Sequence, residues 1–213
     1  EKHHAFIIMR FYNVFHSMPE GDAVFLAAVR TYGEQRGHRM ALRALRDGYP
    51  LDYVSYFAYG EWESSPGAFD ISFEAEEGLV DEKVTRCPWA GSFLASGSGR
   101  CGRLYCSEID RSIVRGFNPE LELTVPCNMY RDELCRFCFR NDEIGSDLFE
   151  RSEERLRHAK GPVVMPFEYH CAHVMRVFSD VAGGVFGVGA DQVLKGIEEE
   201  IRKEFGRDFF NTL

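Results

Sequence analysis

Cys106 is the first residue whose type and setting suggest chemistry. It lies near the start of a segment, 103–116, whose pattern predicts a helix. The N–H groups and dipole at a helix start favour a thiolate. Arg103 stands three residues before it and Asp110 four residues after, so the three share one side. A thiolate one turn from a carboxylic acid is a nucleophile with a proton donor, or else a pair of metal ligands. An ionised Asp110 opposes thiolate formation, so these roles compete. The plain alternative is a small buried cysteine with no chemistry, since free Cys is among the most buried residue types.

His170-Cys171-Ala172-His173 is the second constellation. It falls within an apolar stretch that reads as a helix, where a spacing of three projects both imidazoles from one face. Such a pair can hold a metal, or one ring can act as base while the other orients it. Helical zinc motifs favour a spacing of four, and two hydrogen-bonded core histidines fit the pattern equally. On the first long helix, Gln35, His38 and Arg39 interrupt an apolar face. A buried cation there needs an internal carboxylate or the carboxylate of a ligand, which Arg grips bidentately. Cys135-Arg136-Phe137-Cys138 resembles a CxxC pair, but in a strand its two thiols point to opposite faces. The glycine-rich run 183–189 follows a helix and lacks a closing Lys-Ser/Thr, so it is no P-loop.

The elements that must position these residues can be read from periodicity. Lys2 to Met18 predicts a helix stopped by Pro19. A long helix follows from Asp22 to about Asp47, with Gly48 and Pro50 as stop signals. Its stripe is read as Val24, Ala28, Thr31, Gln35, Leu42 and Leu45. A short helix over 52–60 comes next. Alternation at Phe69, Ile71 and Phe73 predicts a strand, with a weaker partner over 79–87. Segment 91–102 reads as a Gly/Ser loop after a short helix at Pro88. Leu121, Leu123 and Val125, then Cys135, Phe137 and Phe139, predict two further strands joined by a loop at 128–132. Helices are expected over 147–160, 167–181 and 190–205. The expected fold is α+β, in a single domain over 1–213. Its parts are helical (1–60), strand-rich (68–142, a central antiparallel sheet) and helical again (147–206).

The 25 basic and 34 acidic residues leave a net charge of −9, which argues against nucleic acid and anionic membrane as partners. A small-molecule substrate is the expected partner, and homo-oligomerisation stays open. No apolar run is long enough to span a bilayer, and Glu1-Lys2-His3-His4 has no signal-peptide layout. A leader lost from a trimmed chain stays open too. Seven cysteines, an odd number in a chain this long, fit free thiols in a cytoplasmic protein better than a disulfide framework.

Several stretches together resemble the L-2-amino-thiazoline-4-carboxylic acid hydrolase family. These are Tyr105-Cys106-Ser107-Glu108-Ile109-Asp110 with Val114-Arg115-Gly116-Phe117-Asn118-Pro119-Glu120-Leu121, Cys87-Pro88, and Cys135-Arg136-Phe137. Phe167-Glu168-Tyr169-His170-Cys171-Ala172-His173 and Tyr32-Gly33-Glu34-Gln35-Arg36-Gly37-His38-Arg39-Met40 join them. The resemblance spans roughly 30–205 and is densest over 87–139. It implies a hydrolase that adds water at C2 of a cyclic isothiourea and opens the C–S bond, giving N-carbamoyl-L-cysteine. Carried over, the catalytic set is Cys106, Asp110, His170 and His173, with Cys106 as nucleophile and a histidine as base, or a water activated by histidine or metal. Arg39 and Arg103 are the expected cations for the substrate carboxylate. Gln35 and Asn118 complete the binding set, and Asn118 also shapes the turn before Pro119. No cofactor is required by this reading; a divalent metal, zinc or manganese, is the one that the His and Cys donors admit. The rival readings are a non-catalytic metal- or ligand-binding module and a relative acting on a different small substrate.

Overall fold

The computed structural model describes residues 1–212. Helices α1 (Lys2–His16) and α2 (Gly21–Asp47) come first, separated by a bend at Pro19 and ended by Gly48 in the left-handed region (φ 91°). Helix α3 (Tyr53–Ala58) starts at Asp52, whose carboxylate accepts the Ser55 backbone N–H at 2.8 Å and is clamped by Arg155. Strands β1 (Asp70–Glu76) and β2 (Leu79–Arg86) form a hairpin. Helices α4 (Pro88–Ala95) and α5 (Gly99–Phe117) follow, then β3 (Glu122–Cys127) and β4 (Cys135–Arg140). The chain closes with α6 (Leu148–Arg157), α7 (Phe167–Phe186) and α8 (Ala190–Phe210). The fold is α+β, as the sequence predicts. Several boundaries differ, and helix α4 runs through Gly91 to Ala95, inside the segment read as a loop. Helix α5 begins at Gly99, inside the segment read as a loop, because Gly and Ser there lie at the helix start rather than breaking it. Helix α7 runs on through Gly183-Gly184 to Phe186. No helix among the described residues is long and apolar enough to cross a membrane.

The four strands are antiparallel in the order β1-β2-β4-β3. Alternation gives the sheet two unlike faces. Ile71, Phe73, Val80, Val84, Cys135, Phe137 and Phe139 share the inner face. Asp81 and Arg136 form a bidentate pair on the outer one (2.8 and 2.7 Å).

The helical layer is organised by α2 and α5, which cross in backbone contact. A methyl group at Gly37 would lie 2.0 Å from the Ile113 carbonyl oxygen. One at Gly116 would lie 2.2 Å from that of Glu34, and one at Gly33 would lie 2.6 Å from Ser112 Cβ. Only glycine leaves room for this approach. Arg30–Glu108 and Arg115–Glu34 bridge the same crossing on its exposed rim and add little to stability there.

The stripe read from the α2 sequence is rotated from the true buried face. The buried residues are Gly21, Phe25, Ala28, Val29, Tyr32, Gly33, Arg36, Gly37, Met40, Ala41 and Ala44. Thr31, Gln35, Leu42 and Leu45 face outward, the two leucines at 63% and 54% exposure. The reading followed residue hydrophobicity, whereas the helix buries the glycines that let α5 approach.

Gly37→Ala is expected to cost about 1–3 kcal/mol or more by forcing the two helices apart. Gly91→Ala, in α4 with open space around its Cβ position, is expected to stabilise by roughly 0.5–1 kcal/mol. Urea unfolding of the two variants against the parent checks both signs.

Candidate active site

Between α5, α2 and the inner sheet face lies a cavity of about 350 Å³. Helix α5 contributes Cys106, Ile109, Asp110 and Ile113, whose spacing puts them on one face. The sheet contributes Ile71, Glu82, Val84, Cys135 and Phe137. Arg36 and Met40 come from α2, Glu61 and Trp62 from the segment after α3, and Cys87 and Trp89 from the start of α4. The walls are therefore mostly apolar, with a few polar groups converging, as in small-ligand sites generally.

Besides Glu61, two carboxyl groups share this space. Glu82 sits on the apolar face of β2, paired in register with Phe73 on one side and Phe137 on the other. Burial pushes its carboxyl up to about 7, and the charge of Asp110 adds to the effect. Burial likewise pushes Asp110 up to about 6, against the opposing fields of Arg36 and Arg111. Near neutral pH one carboxyl is largely ionised while its neighbour still holds a proton. Groups poised in this way suit general acid–base catalysis.

The thiols are in the opposite condition. Cys106 is on the cavity wall, but it lies about two turns inside α5 rather than in its first turn, so the helix start lends it nothing. Burial, then the charge of Asp110, pushes its thiol well above the usual range; its nearest polar neighbour is the Tyr130 hydroxyl, 3.8 Å from Sγ. Burial also pushes Cys87 up to about 11, eased by the backbone N–H groups of Ala90 and Trp89. Arg103 is exposed and does not line the cavity.

The other expected site residues form a separate cluster behind Glu61. His173 Nε2–H donates to Gln35 Oε1 at 2.8 Å, and its Nδ1 accepts from Arg39 Nη2 at 3.3 Å. Arg39 in turn grips Glu61 through Nε and Nη2 (3.0 and 2.9 Å). His170 Nε2–H donates to the Glu61 carbonyl oxygen at 3.1 Å, and its ring stacks on Trp62. Burial and then Arg36 push His170 down to about 4; burial and then Arg39 push His173 down to about 3. Both rings are neutral and neither lines the cavity; His170 Nδ1 is buried without a hydrogen-bond partner. They hold the Glu61-Trp62 segment in place. Asn118 donates to the Leu51 carbonyl (2.8 Å) and accepts from the Glu120 N–H (2.9 Å), so its side chain braces the turn, and it does not line the cavity. Among the described residues no three His, Cys, Asp or Glu side chains are grouped in a way that could hold a metal ion.

Three residues with the strongest claim on the cavity were not singled out in sequence: Glu82, Arg36 and Glu61. Glu82 leaves a signal, as the one acid in an alternating Val80-x-Glu82-x-Val84 stripe. Arg36 does too, at the fourth-residue step of Ala28-Tyr32-Arg36-Met40. Glu61, in a loop, leaves none.

A sequence model of the L-2-amino-thiazoline-4-carboxylic acid hydrolase family matches residues 1–139. The chain belongs to this family. No curated protein and no solved structure matches it. The match contains the whole set of cavity residues named above, from Arg36 to Phe137. It ends before the His170–His173 stretch, which the sequence resemblance had included. The chain is thus a member of a hydrolase family, and Arg36, Glu61, Glu82 and Asp110 of the cavity all lie within the matched span.

Glu82 also ties stability to pH. Its folded pKa (about 7) lies above its ordinary value of 4.5, so the stability of the protonated form is complete below about 4.5 and is lost as pH rises through about 7. Glu82→Gln removes that loss. The variant is expected to gain stability over the parent progressively between those pH values and to hold a constant advantage above them, as read by urea unfolding at each pH.

Proposed function

We propose that this cavity opens the ring of a small cyclic isothiourea such as L-2-amino-thiazoline-4-carboxylate. The observation that carries the reading is the carboxyl pair: Glu82 and Asp110, poised near 7 and 6, face one apolar cavity. Membership of the hydrolase family supports it.

C2 of the substrate bears two nitrogens and a sulfur and is a poor electrophile until the amidine is protonated. Protonated Glu82 supplies that proton to a ring-side nitrogen. Ionised Asp110 takes a proton from water as the water oxygen bonds to C2. In the tetrahedral adduct the C2–S bond breaks, and the ring sulfur leaves as a thiolate that recovers the proton from Asp110. The adduct hydroxyl returns its proton to Glu82 as the urea carbonyl forms. The sum is one water added and N-carbamoyl-L-cysteine released, with both carboxyl groups restored. The thiolate is a good leaving group, with an unperturbed pKa of about 8.5.

A second reading rests on Cys106, which lies on the same wall one turn from Asp110. Its sulfur would attack C2 as Asp110 takes its proton, the ring sulfur would leave, and water would then release Cys106. This route exchanges one thiol for another before hydrolysis and begins from a thiol that burial keeps protonated, so direct attack by water is preferred.

Turnover, followed by mass spectrometry as the gain of one water, tests the reading. Asp110→Asn and Glu82→Gln are each expected to lower kcat/KM about 10²- to 10⁴-fold. The pH profile is expected to be a narrow bell whose limbs, near 6 and 7, belong to the pair. Cys106→Ala is expected to stay within about tenfold of the parent, an effect of packing alone. Collapse of Cys106→Ala with a covalent adduct on the parent would transfer the mechanism to the second route. No turnover by the parent, or full activity in both carboxyl variants, would overturn the proposal.

A further inference from the structure

Arg36 has a charge and a position that the catalytic scheme does not use. Three guanidinium groups converge on the one carboxylate of Glu61. Arg39 binds it through two bonds and Arg43 through a third at 2.7 Å, while Arg36 approaches only to 3.6 Å. Burial opposes the charge on Glu61, but the three guanidinium groups outweigh it and hold the carboxyl below its ordinary range, so it carries one negative charge against three positive. Arg39 and Arg43 retain some contact with solvent, with side chains 22% and 15% exposed. That of Arg36 is 8% exposed.

The Arg36 guanidinium makes no hydrogen bond among the described residues, and its Nε is buried without a partner. It lies over the Trp62 ring, 4.3 Å from the centroid, and faces the cavity. Asp110 lies on the same cavity but outside ion-pairing distance, and no carboxylate besides Glu61 reaches Arg36 within 4.0 Å among the described residues. The neighbouring histidines, His4, His170 and His173, are neutral and offer no counter-charge. A buried, unsatisfied cation is costly and persists only where something pairs with it.

We infer that Arg36 is the anion receptor of this cavity and takes the carboxylate of the ligand. The inference rests on the cavity being the substrate site and replaces Arg39 and Arg103 in that role. Arg39 is already engaged by Glu61 and His173 and does not line the cavity, and Arg103 lies outside. With Arg36 at one wall and the carboxyl pair on α5 and β2, the cavity is complementary to a small amino-acid-derived zwitterion. The carboxylate of such a ligand meets the guanidinium, and its amidine meets the acids. A planar guanidinium with free N–H groups suits a bidentate carboxylate bond.

The test separates recognition from turnover by using an unreactive aromatic isostere, 2-aminothiazole-4-carboxylate, and its parent 2-aminothiazole, which lacks the carboxylate. Calorimetric titration of the full chain is expected to show the carboxylate improving affinity by about 10- to 100-fold. Arg36→Met is expected to abolish that preference while binding 2-aminothiazole as before. Arg36→Lys should retain part of it, and the exposed-site variant Arg103→Met all of it. Because Arg36→Met takes away one of three guanidinium groups around Glu61 and leaves the two that hydrogen-bond it, its melting temperature should equal or exceed that of the parent. A structural counter-ion would instead leave the variant less stable.

No carboxylate preference in the parent, a preference that survives Arg36→Met, or a clear fall in the melting temperature of that variant would each overturn the inference. Loss of the preference in a protein that fails to hydrolyse the thiazoline would uphold Arg36 as receptor and remove the proposed reaction. Hydrolysis with the preference intact in Arg36→Met would do the reverse.

Discussion

The backbone contact between α2 and α5 is the constraint on which the rest of this molecule depends. Gly33 and Gly37 on one helix and Gly116 on the other bring main chains to a separation that no side chain would allow. Helices at ordinary spacing keep their facing side chains between them. Here the side chains that follow the contact are displaced to its edge, so Arg36 on α2 and Cys106, Ile109 and Asp110 on α5 border a common cavity instead of filling it. The sheet supplies the remaining wall, and the register that sets Glu82 between Phe73 and Phe137 fixes its acid in an apolar setting. Packing thus places opposite charges around one space without letting them meet.

That separation gives the cavity its character. If Arg36 met Asp110 directly, the pair would neutralise and neither group would be available. As arranged, the carboxyl groups are raised into the neutral range by burial, while the guanidinium excess is left unsatisfied on the far side. The two effects have one cause, the exclusion of water from a site with too few internal partners. Both are destabilising for the free protein, and such sites are where function is retained at the expense of stability. The histidines contribute at a remove, by holding the Glu61-Trp62 segment that orients Arg36.

Much of this architecture was legible in the sequence. The period-two runs at Ile71-Phe73 and Cys135-Phe137-Phe139 gave the sheet its inner face. Pro19, Gly48 and Asp52 marked helix boundaries that the structure keeps. Cys106 and Asp110 were found through their spacing and the family resemblance, and both line the cavity. Where the structure departs from the sequence reading, the reasons are physical. The α2 stripe was read from hydrophobicity, but backbone packing selects small residues, so the buried face follows glycines and carries an arginine. His170 and His173 share a motif, yet their bonds go to a backbone carbonyl and to Gln35. Proximity of that kind across the chain has no local signature. Glu82 was hidden in the opposite way, as one polar residue in a strand recognised only weakly.

The most direct test of the account is a crystal structure with 2-aminothiazole-4-carboxylate bound. The account predicts the ring in the cavity between α5 and the sheet, with its N–C–N edge toward Asp110 and Glu82 and its carboxylate on the Arg36 guanidinium. A ligand seated the other way round, or bound at the His170 and His173 cluster with the cavity unoccupied, would contradict it.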